Sequence, residues 1–312
     1  MKKIIATGLC LLGLAGVFGC QASLPEGWEE SLTDSLKESL TESLTESLTA
    51  SLTEALAATP TPTPTATATP TPTPTPTVYH RRTPQPLPED ARLICLFFDD
   101  CFANQYEAAL PVLLEHDFAA TFGVITGVIG TGQGLWRYMN EDKLRVLAEL
   151  GMDIACHTET HPSLVGLTDA ELRTEITDSK AILEGMGFQV ETMIYPYYEW
   201  DERIIDSVIA AGFTCGRAGW NEDRYYDLTD TDPLRRYHIF SWQISDQSLE
   251  TFRQYCQWAS GSTVVSFTYH LITDDGPEGT SIPVENFREQ MTYLADAGYS
   301  VVLLPDLVAL QD

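Results

Sequence analysis

The stretch "RLICLFFDD", Arg92 to Asp100, sets six apolar residues directly before two carboxylates. A short apolar run without polar alternation reads as a strand buried on both faces, the kind found in parallel sheets. Further along come "AATFGVI", "MDIAC", "ETMIY", "STVVSFTY" and "YSVVLLP", each short and apolar. Between them the spacing predicts amphipathic helices over Asn140–Leu150, Asp169–Met186, Asp201–Ala211 and Val284–Ala297, the second opened by a Thr168/Glu171 capping box. Strand and helix in alternation predict an α/β fold with a parallel sheet, open or closed into a barrel. In such folds the chemistry gathers at the C-terminal ends of the strands.

The residues at those ends are polar and chemically specific. Asp99 and Asp100 end the first strand, and adjacent side chains on an extended segment point to opposite faces, so the two can serve different partners. In "DIACHTETHPSL", Asp153 to Leu164, His157 and His161 lie four residues apart with a proline after the second. That proline pushes His161 out of the α region, so the pair belongs to the loop after a strand and not to a helix face. Pro196 and Tyr197 follow "ETMIY", and His270 follows "STVVSFTY". Two imidazoles and one carboxylate form a zinc-type ligand set with a position left for water. The second carboxylate and the third histidine are what metal-assisted hydrolysis needs as base and acid.

With these residues in place the sequence resembles the polysaccharide deacetylase family, the NodB-homology domains of carbohydrate esterase family 4. "FFDDCF" is similar to that family's "TFDDG", "HTETHPSL" to its "H-S/T-x-x-H-P", "YPYYEW" to its "YPYG", and "SFTYH" to its closing "L-H". The resemblance covers nearly all of Ala91 to Leu310 and implies a distorted (β/α) barrel. It implies that Asp100, His157 and His161 bind a divalent metal, zinc first, with cobalt, nickel or manganese as alternatives. It further implies that Asp99 is the general base, that His270 protonates the departing amine, and that the backbone N–H of Tyr197 stabilises the oxyanion. The implied activity is removal of N-acetyl groups from an N-acetylglucosamine-containing polymer, either peptidoglycan or a secreted glycan. An O-acetyl esterase of xylan type and an inactive glycan-binding module are the alternatives.

The sequence departs from the family pattern at several places. Cys101 stands in place of a glycine, Tyr198 in place of the glycine of "YPYG", and Tyr269 in place of a leucine that lines the acetyl pocket. Ile194 stands where many members carry an arginine that orients the base, and no "D-x-x-D-W" motif is present; Trp242 in "IFSWQIS" and the pair Arg235 and Arg236 are the loose candidates for that role. Pro196, Tyr269, Trp220 and Trp242 are the candidate substrate-binding residues, with Trp200 a further stacking candidate.

The ends of the chain describe an exported protein on a stalk. "MKKIIATGLCLLGLAGVFGC" has a basic start and a short apolar run, the pattern of a secretory signal over residues 1–19, and "VFGC" resembles a lipobox whose cysteine, Cys20, carries lipid. Simple cleavage or an uncleaved anchor are the alternatives, so the protein is expected on the extracytoplasmic side, membrane-anchored or secreted. Residues 20–58 carry "SLTE" repeats with leucines at 32, 36, 40, 44, 48, 52 and 56, a period that drifts around a helix axis and makes a stalk without a continuous seam. The Thr/Pro-rich linker of residues 59–90 favours extended polyproline II, and residues 91–312 form the catalytic domain.

The formal net charge is -27 at pH 7. About 35 acidic against about 13 basic side chains follow Ala91. Nucleic acid is excluded as a partner, because phosphate binding needs a basic face; a neutral glycan that turns cationic on deacetylation fits. The odd number of cysteines after Cys20 shows no disulfide framework. They read as small buried hydrophobes, with a bridge or redox-sensitive thiol as the alternative at Cys101 and Cys156, which adjoin site residues.

Overall fold

The strand β1 (Arg92–Phe98) lies at the centre of a sheet whose other members are β2 (Thr121–Val124), β3 (Asp153–Cys156), β4 (Thr192–Ile194), β5 (Cys215–Arg217), β6 (Tyr226–Asp227), β7 (Trp242–Gln243), β8 (Thr263–Tyr269) and the strand Tyr299–Val301, which pairs parallel with the start of β1. Their spatial order is β5-β4-β3-β2-β1-β8, all parallel, with β6 alone antiparallel at the far end of β8. The two open edges meet through residues 239–243: Ile239 bridges Arg217 on β5, and β7 pairs with β8. The result is a distorted (β/α) barrel whose closing side is only a bridge and a two-residue strand. A computed structural model describes Tyr79, Leu87, Pro88 and residues 90–219, 224–245 and 247–311. The signal segment, Cys20, the repeat stalk, most of the linker and Trp220 lie outside the described residues.

Period-two alternation along β1 builds two cores. Leu93, Cys95 and Phe97 point inward and meet Ala155, Ile194, Cys215, Ile239 and Val264 from the other strands. Ile94, Leu96 and Phe98 point outward against Phe122, Ile154, Met193 and Phe267 and the surrounding helices. Every residue of β1 after Arg92 is buried, which explains its unbroken apolar sequence. Each such side chain contributes about 1.5–3 kcal/mol on removal from water.

The helices are α1 (Leu110–Glu115), α2 (Glu141–Glu149), α3 (Asp169–Leu172), α4 (Ser179–Gly185), α5 (Glu202–Ala210), α6 (Leu249–Cys256), α7 (Val284–Asp296) and α8 (Leu304–Ala309). Asn140, Thr168, Asp201 and Ser248 cap the starts of α2, α3, α5 and α6 with side-chain oxygens, and Thr168 and Glu171 form the full capping box. The interior core is closed at the N-terminal end of the strands by Leu304, Leu307 and Val308 of α8.

Two features differ from the sequence reading. The helix predicted over Asp169–Met186 is interrupted by a π-helical segment, Arg173–Asp178, and another π-helical turn, Gln105–Ala109, precedes α1. Both wide turns aim a polar side chain, Glu175 and Gln105, at the loops of the functional site described below, and such turns concentrate at functional sites. The strands on the β5–β7 side are short and polar and follow no apolar run in the sequence.

Candidate metal centre and active site

The end of β1 delivers two carboxylates to opposite neighbours. Asp99 continues the inward parity of Phe97 and is almost fully buried, whereas the chain turns left-handed at Asp100 (φ 69) and Cys101 (φ 64). That turn presents Asp100 Oδ1 to His157 Nε2 and to His161 Nε2, each 3.5 Å away. One ligand atom from each of Asp100, His157 and His161 lies within 4.8 Å of the others, the only such acidic, histidine or cysteine cluster among the described residues.

The loop of the two histidines is braced from several sides. Gly123 on β2 leaves the space beside His157, since a Cβ there would meet Ile194 Cδ1 at 2.9 Å and His157 Cβ at 3.5 Å. His157 Nδ1 hydrogen-bonds the Ile194 carbonyl at 2.9 Å. The N–H of His161 donates to Thr158 Oγ1 at 2.9 Å, which supports its left-handed backbone (φ 60). Glu175, from the π-helical segment, accepts the Glu159 N–H at 2.9 Å and the Thr160 N–H at 2.8 Å on Oε2, and the Thr160 hydroxyl at 2.6 Å on Oε1. Gln105 ties the ends of β1 and β8 together by donating to the carbonyls of Asp99 and His270, the latter at 2.8 Å.

These residues fit a divalent metal. With Nδ1 held by a carbonyl, His157 turns Nε2 toward Asp100, and this buried atom has no hydrogen-bond partner of its own. Donor separations of 3.5 Å match the ~3.4 Å edge of a tetrahedron with bonds of ~2.1 Å. Burial works against the charge of Asp100, but the close approach of His157 and the fields of His157, His270 and His161 prevail and hold its carboxyl at about 2. Burial, followed by the charge of His157, lowers His161 to about 4, so its imidazole is neutral at pH 7, the form that ligates metals.

On the other side of β1, Asp99 pairs with a residue the sequence reading passed over. Arg217 ends β5, points into the barrel with no exposed surface, and donates from Nη2 to both carboxylate oxygens of Asp99. Its guanidinium also lies 4.9 Å from the centre of the Tyr198 ring. Ile194, at the position where an arginine would orient the base, instead packs inside the barrel, and the arginine arrives from the next strand. The signal was the arginine in "FTCGRAG", a charge at the end of a strand with no exposed face. His270 Nε2 is 3.8 Å from Asp99 Oδ2, so base and acid candidates share one wall.

Tyr197 (φ 55) is exposed and meets the His161 ring edge-on at 4.8 Å, with Pro196 buried beneath it. Asp99, Asp100, His157, His161, Tyr197 and His270 thus converge on one rim. Two candidate substrate contacts do not. Tyr269 neighbours the inward-facing His270 and therefore faces outward, wholly buried, with its hydroxyl on Gln290 of α7 at 2.7 Å. Trp242 also lies outside the barrel, stacked on Tyr255 at 4.1 Å with its indole N–H on the Arg224 carbonyl. Trp200 stacks on His238 at 4.2 Å. Arg235 pairs with Asp230, and neither it nor Arg236 reaches Asp99. Cys101 and Cys156 are free and buried, not bridged, and burial pushes their thiols up to about 12 and about 11.

The polysaccharide deacetylase family profile matches residues 87–216, a span that includes Asp99, Asp100, His157, His161 and Tyr197 but stops before Arg217 and His270. A curated relative, "Putative polysaccharide deacetylase YxkH" of Bacillus subtilis (strain 168), is 29% identical over 126 residues, which are 40% of this chain and 44% of the relative. The chain therefore spans less than half the length of that relative. Among solved structures, a family 4 carbohydrate esterase from Bacillus anthracis is 22% identical, with 71% of this chain and 84% of the other covered at a TM-score of 0.47. Peptidoglycan deacetylase PdaC from Bacillus subtilis is 19% identical, with 72% and 95% covered and a TM-score of 0.47. Over residues 87–216, this chain is thus similar to the polysaccharide deacetylase family.

Proposed function

We propose that this protein is a metal-dependent hydrolase that removes N-acetyl groups from N-acetylglucosamine-containing glycan outside the cell, held at the surface by lipid on Cys20. The observation that carries the reading is the adjacency of two sets of groups at the end of β1. Asp100, His157 and His161 form a metal-type trio, and beside it Asp99 pairs with Arg217 and faces His270.

Asp100, His157 and His161 would hold the metal, which when bound would supply Lewis-acid polarisation of the acetamide carbonyl and of a water. Asp99 takes the proton of the attacking water. Arg217 fixes both oxygens of Asp99, so the base keeps one orientation while it works. His270 gives a proton to the departing nitrogen from Nε2, which an amide leaving group needs. The backbone N–H of Tyr197, which stands in a left-handed turn at the rim, would donate to the carbonyl oxygen as it gains charge.

The test is Asp99→Asn in the full chain. Acetate release from N-acetylglucosamine oligomers falls by roughly 10²–10⁴-fold while the protein still binds one equivalent of zinc. Unchanged turnover overturns the assignment.

A further inference from the structure

The loop after β2 carries an aromatic surface up to the metal trio. Phe102, two residues beyond Asp100, is buried, and on it rest Tyr138, stacked at 5.2 Å, and Trp136, edge-on at 5.6 Å. Trp136 is 51% exposed, one of the few large apolar side chains left in water. The negative charge of Asp100 contributes, after burial, to raising the Tyr138 hydroxyl, which places that ring within the field of the site. Tyr197, at the end of β4, meets His161 of the trio, and Phe102 follows Asp100 by two residues at the end of β1.

The cluster is clamped. Phe102 and Tyr138 form an antiparallel bridge; the Ala103 N–H donates to the Arg137 carbonyl at 2.7 Å, and the Met139 N–H to the Cys101 carbonyl at 2.9 Å. Gly132 (φ +81) permits the loop's turn, since a Cβ there would sit 1.9 Å from the Trp136 carbonyl oxygen. Arg137 and Lys143 both reach Glu107 at 2.7 Å and fasten the loop to the turn before α1. An indole held this firmly in water, next to a catalytic rim, is a preformed platform: the ordering cost of binding is already met by the fold.

An apolar ring face in water suits several occupants, and charge decides among them. With a formal net charge of -27 the protein repels anionic lipid surfaces and nucleic acid, whereas the C–H face of a neutral pyranose stacks on an indole without opposing charge. We propose that Trp136, with Tyr138 beside it, is a stacking subsite for a sugar ring neighbouring the one that is deacetylated, so that the site recognises a chain of N-acetylhexosamine units and not a single sugar. This inference rests on the deacetylase reading for its register but not for its binding.

Two measurements on the full chain test it. In the first, acetate release from β-1,4-linked N-acetylglucosamine oligomers of one to six units is compared between wild type, Trp136→Ala and Trp136→Phe. In Trp136→Ala, kcat/KM for the pentamer falls by roughly five- to tenfold, mainly through KM, and most of the gain with chain length is lost, while Trp136→Phe restores most of it. In the second, calorimetry measures pentamer binding to Asp99→Asn with and without Trp136→Ala, the affinity falling by the same factor at an unchanged melting temperature. Active wild type with an unaltered Trp136→Ala profile, or equal pentamer affinities, overturns the subsite and leaves the deacetylase reading standing. Trp136-dependent binding without acetate release overturns the deacetylase reading and leaves the platform. Neither binding nor release overturns both.

Discussion

Arg217 and Asp99, 118 residues apart in the chain, form an ion pair inside the barrel, one guanidinium nitrogen meeting both carboxylate oxygens, with 0% and 4% of their side-chain surfaces exposed. Two charges so placed depend on each other. Removing one leaves the other buried without compensation, which costs about 3–5 kcal/mol, whereas removing both costs far less. Arg217→Met is therefore expected to lower unfolding stability by about 3–5 kcal/mol. Arg217→Met combined with Asp99→Asn recovers most of that loss. Urea denaturation of the four proteins in this cycle measures the coupling; additive losses would mean that the pair is not formed.

The same pair has a kinetic signature. Lysine keeps the charge but lacks the planar guanidinium that lies against the Tyr198 ring while it meets Asp99. Arg217→Lys should fold and bind zinc, yet lose roughly tenfold or more in kcat with little change in KM, since it acts through the base and not on substrate. A change confined to KM would place Arg217 in substrate binding instead.

Glu175 gives a prediction that separates the metal loop from the chemistry. Its carboxylate accepts three hydrogen bonds from Glu159 and Thr160, which lie between His157 and His161. An amide in that place can accept on one side only. Glu175→Gln should weaken zinc binding by roughly 10- to 100-fold in a competition titration, with far-ultraviolet dichroism unchanged. Full zinc affinity would show that the loop holds its shape unaided.

Protonation of His161 has a defined sign. Its folded pKa of about 4 lies below the ordinary imidazole value of 6.5, so as pH falls from 6.5 the unfolded chain takes up the proton before the folded one does. The stability contributed through this group therefore declines between pH 6.5 and about 4 and levels off below. In metal-free protein, imidazole proton resonances should show His161 titrating near pH 4; a midpoint near 6.5 would contradict the burial and the neighbouring His157 charge that lower it.

Tyr269 distinguishes core from pocket. Its hydroxyl meets Gln290 in the layer between β8 and α7 and nothing at the rim. Tyr269→Phe is expected to cost about 1 kcal/mol of stability and to leave KM alone. A changed KM would return Tyr269 to the acetyl pocket.

These cases show what the sequence made legible. Runs such as "RLICLFF" and "STVVSFTY" disclosed β1 and β8 because burial on both faces demands continuous apolar residues, and the groups at their ends followed. The β5–β7 side was silent because its strands are two or three residues long and include Arg217, Gly216 and Gln243. Parity along a strand would have separated Tyr269 from His270, since neighbours in an extended segment face opposite sides. The Asp99–Arg217 pair and the Phe102–Trp136–Tyr138 cluster join residues remote in the chain, and only the closed barrel and the clamped loop bring them together.

The central claim is metal-dependent deacetylation, and acetate release by the full chain measures it most directly. Zinc-loaded and chelated protein would be given N-acetylglucosamine oligomers and acetylated xylan in parallel. Release from the oligomers that vanishes on chelation and returns with added zinc is the predicted result. Release from xylan alone, or from the oligomers with the chelator present, would contradict it.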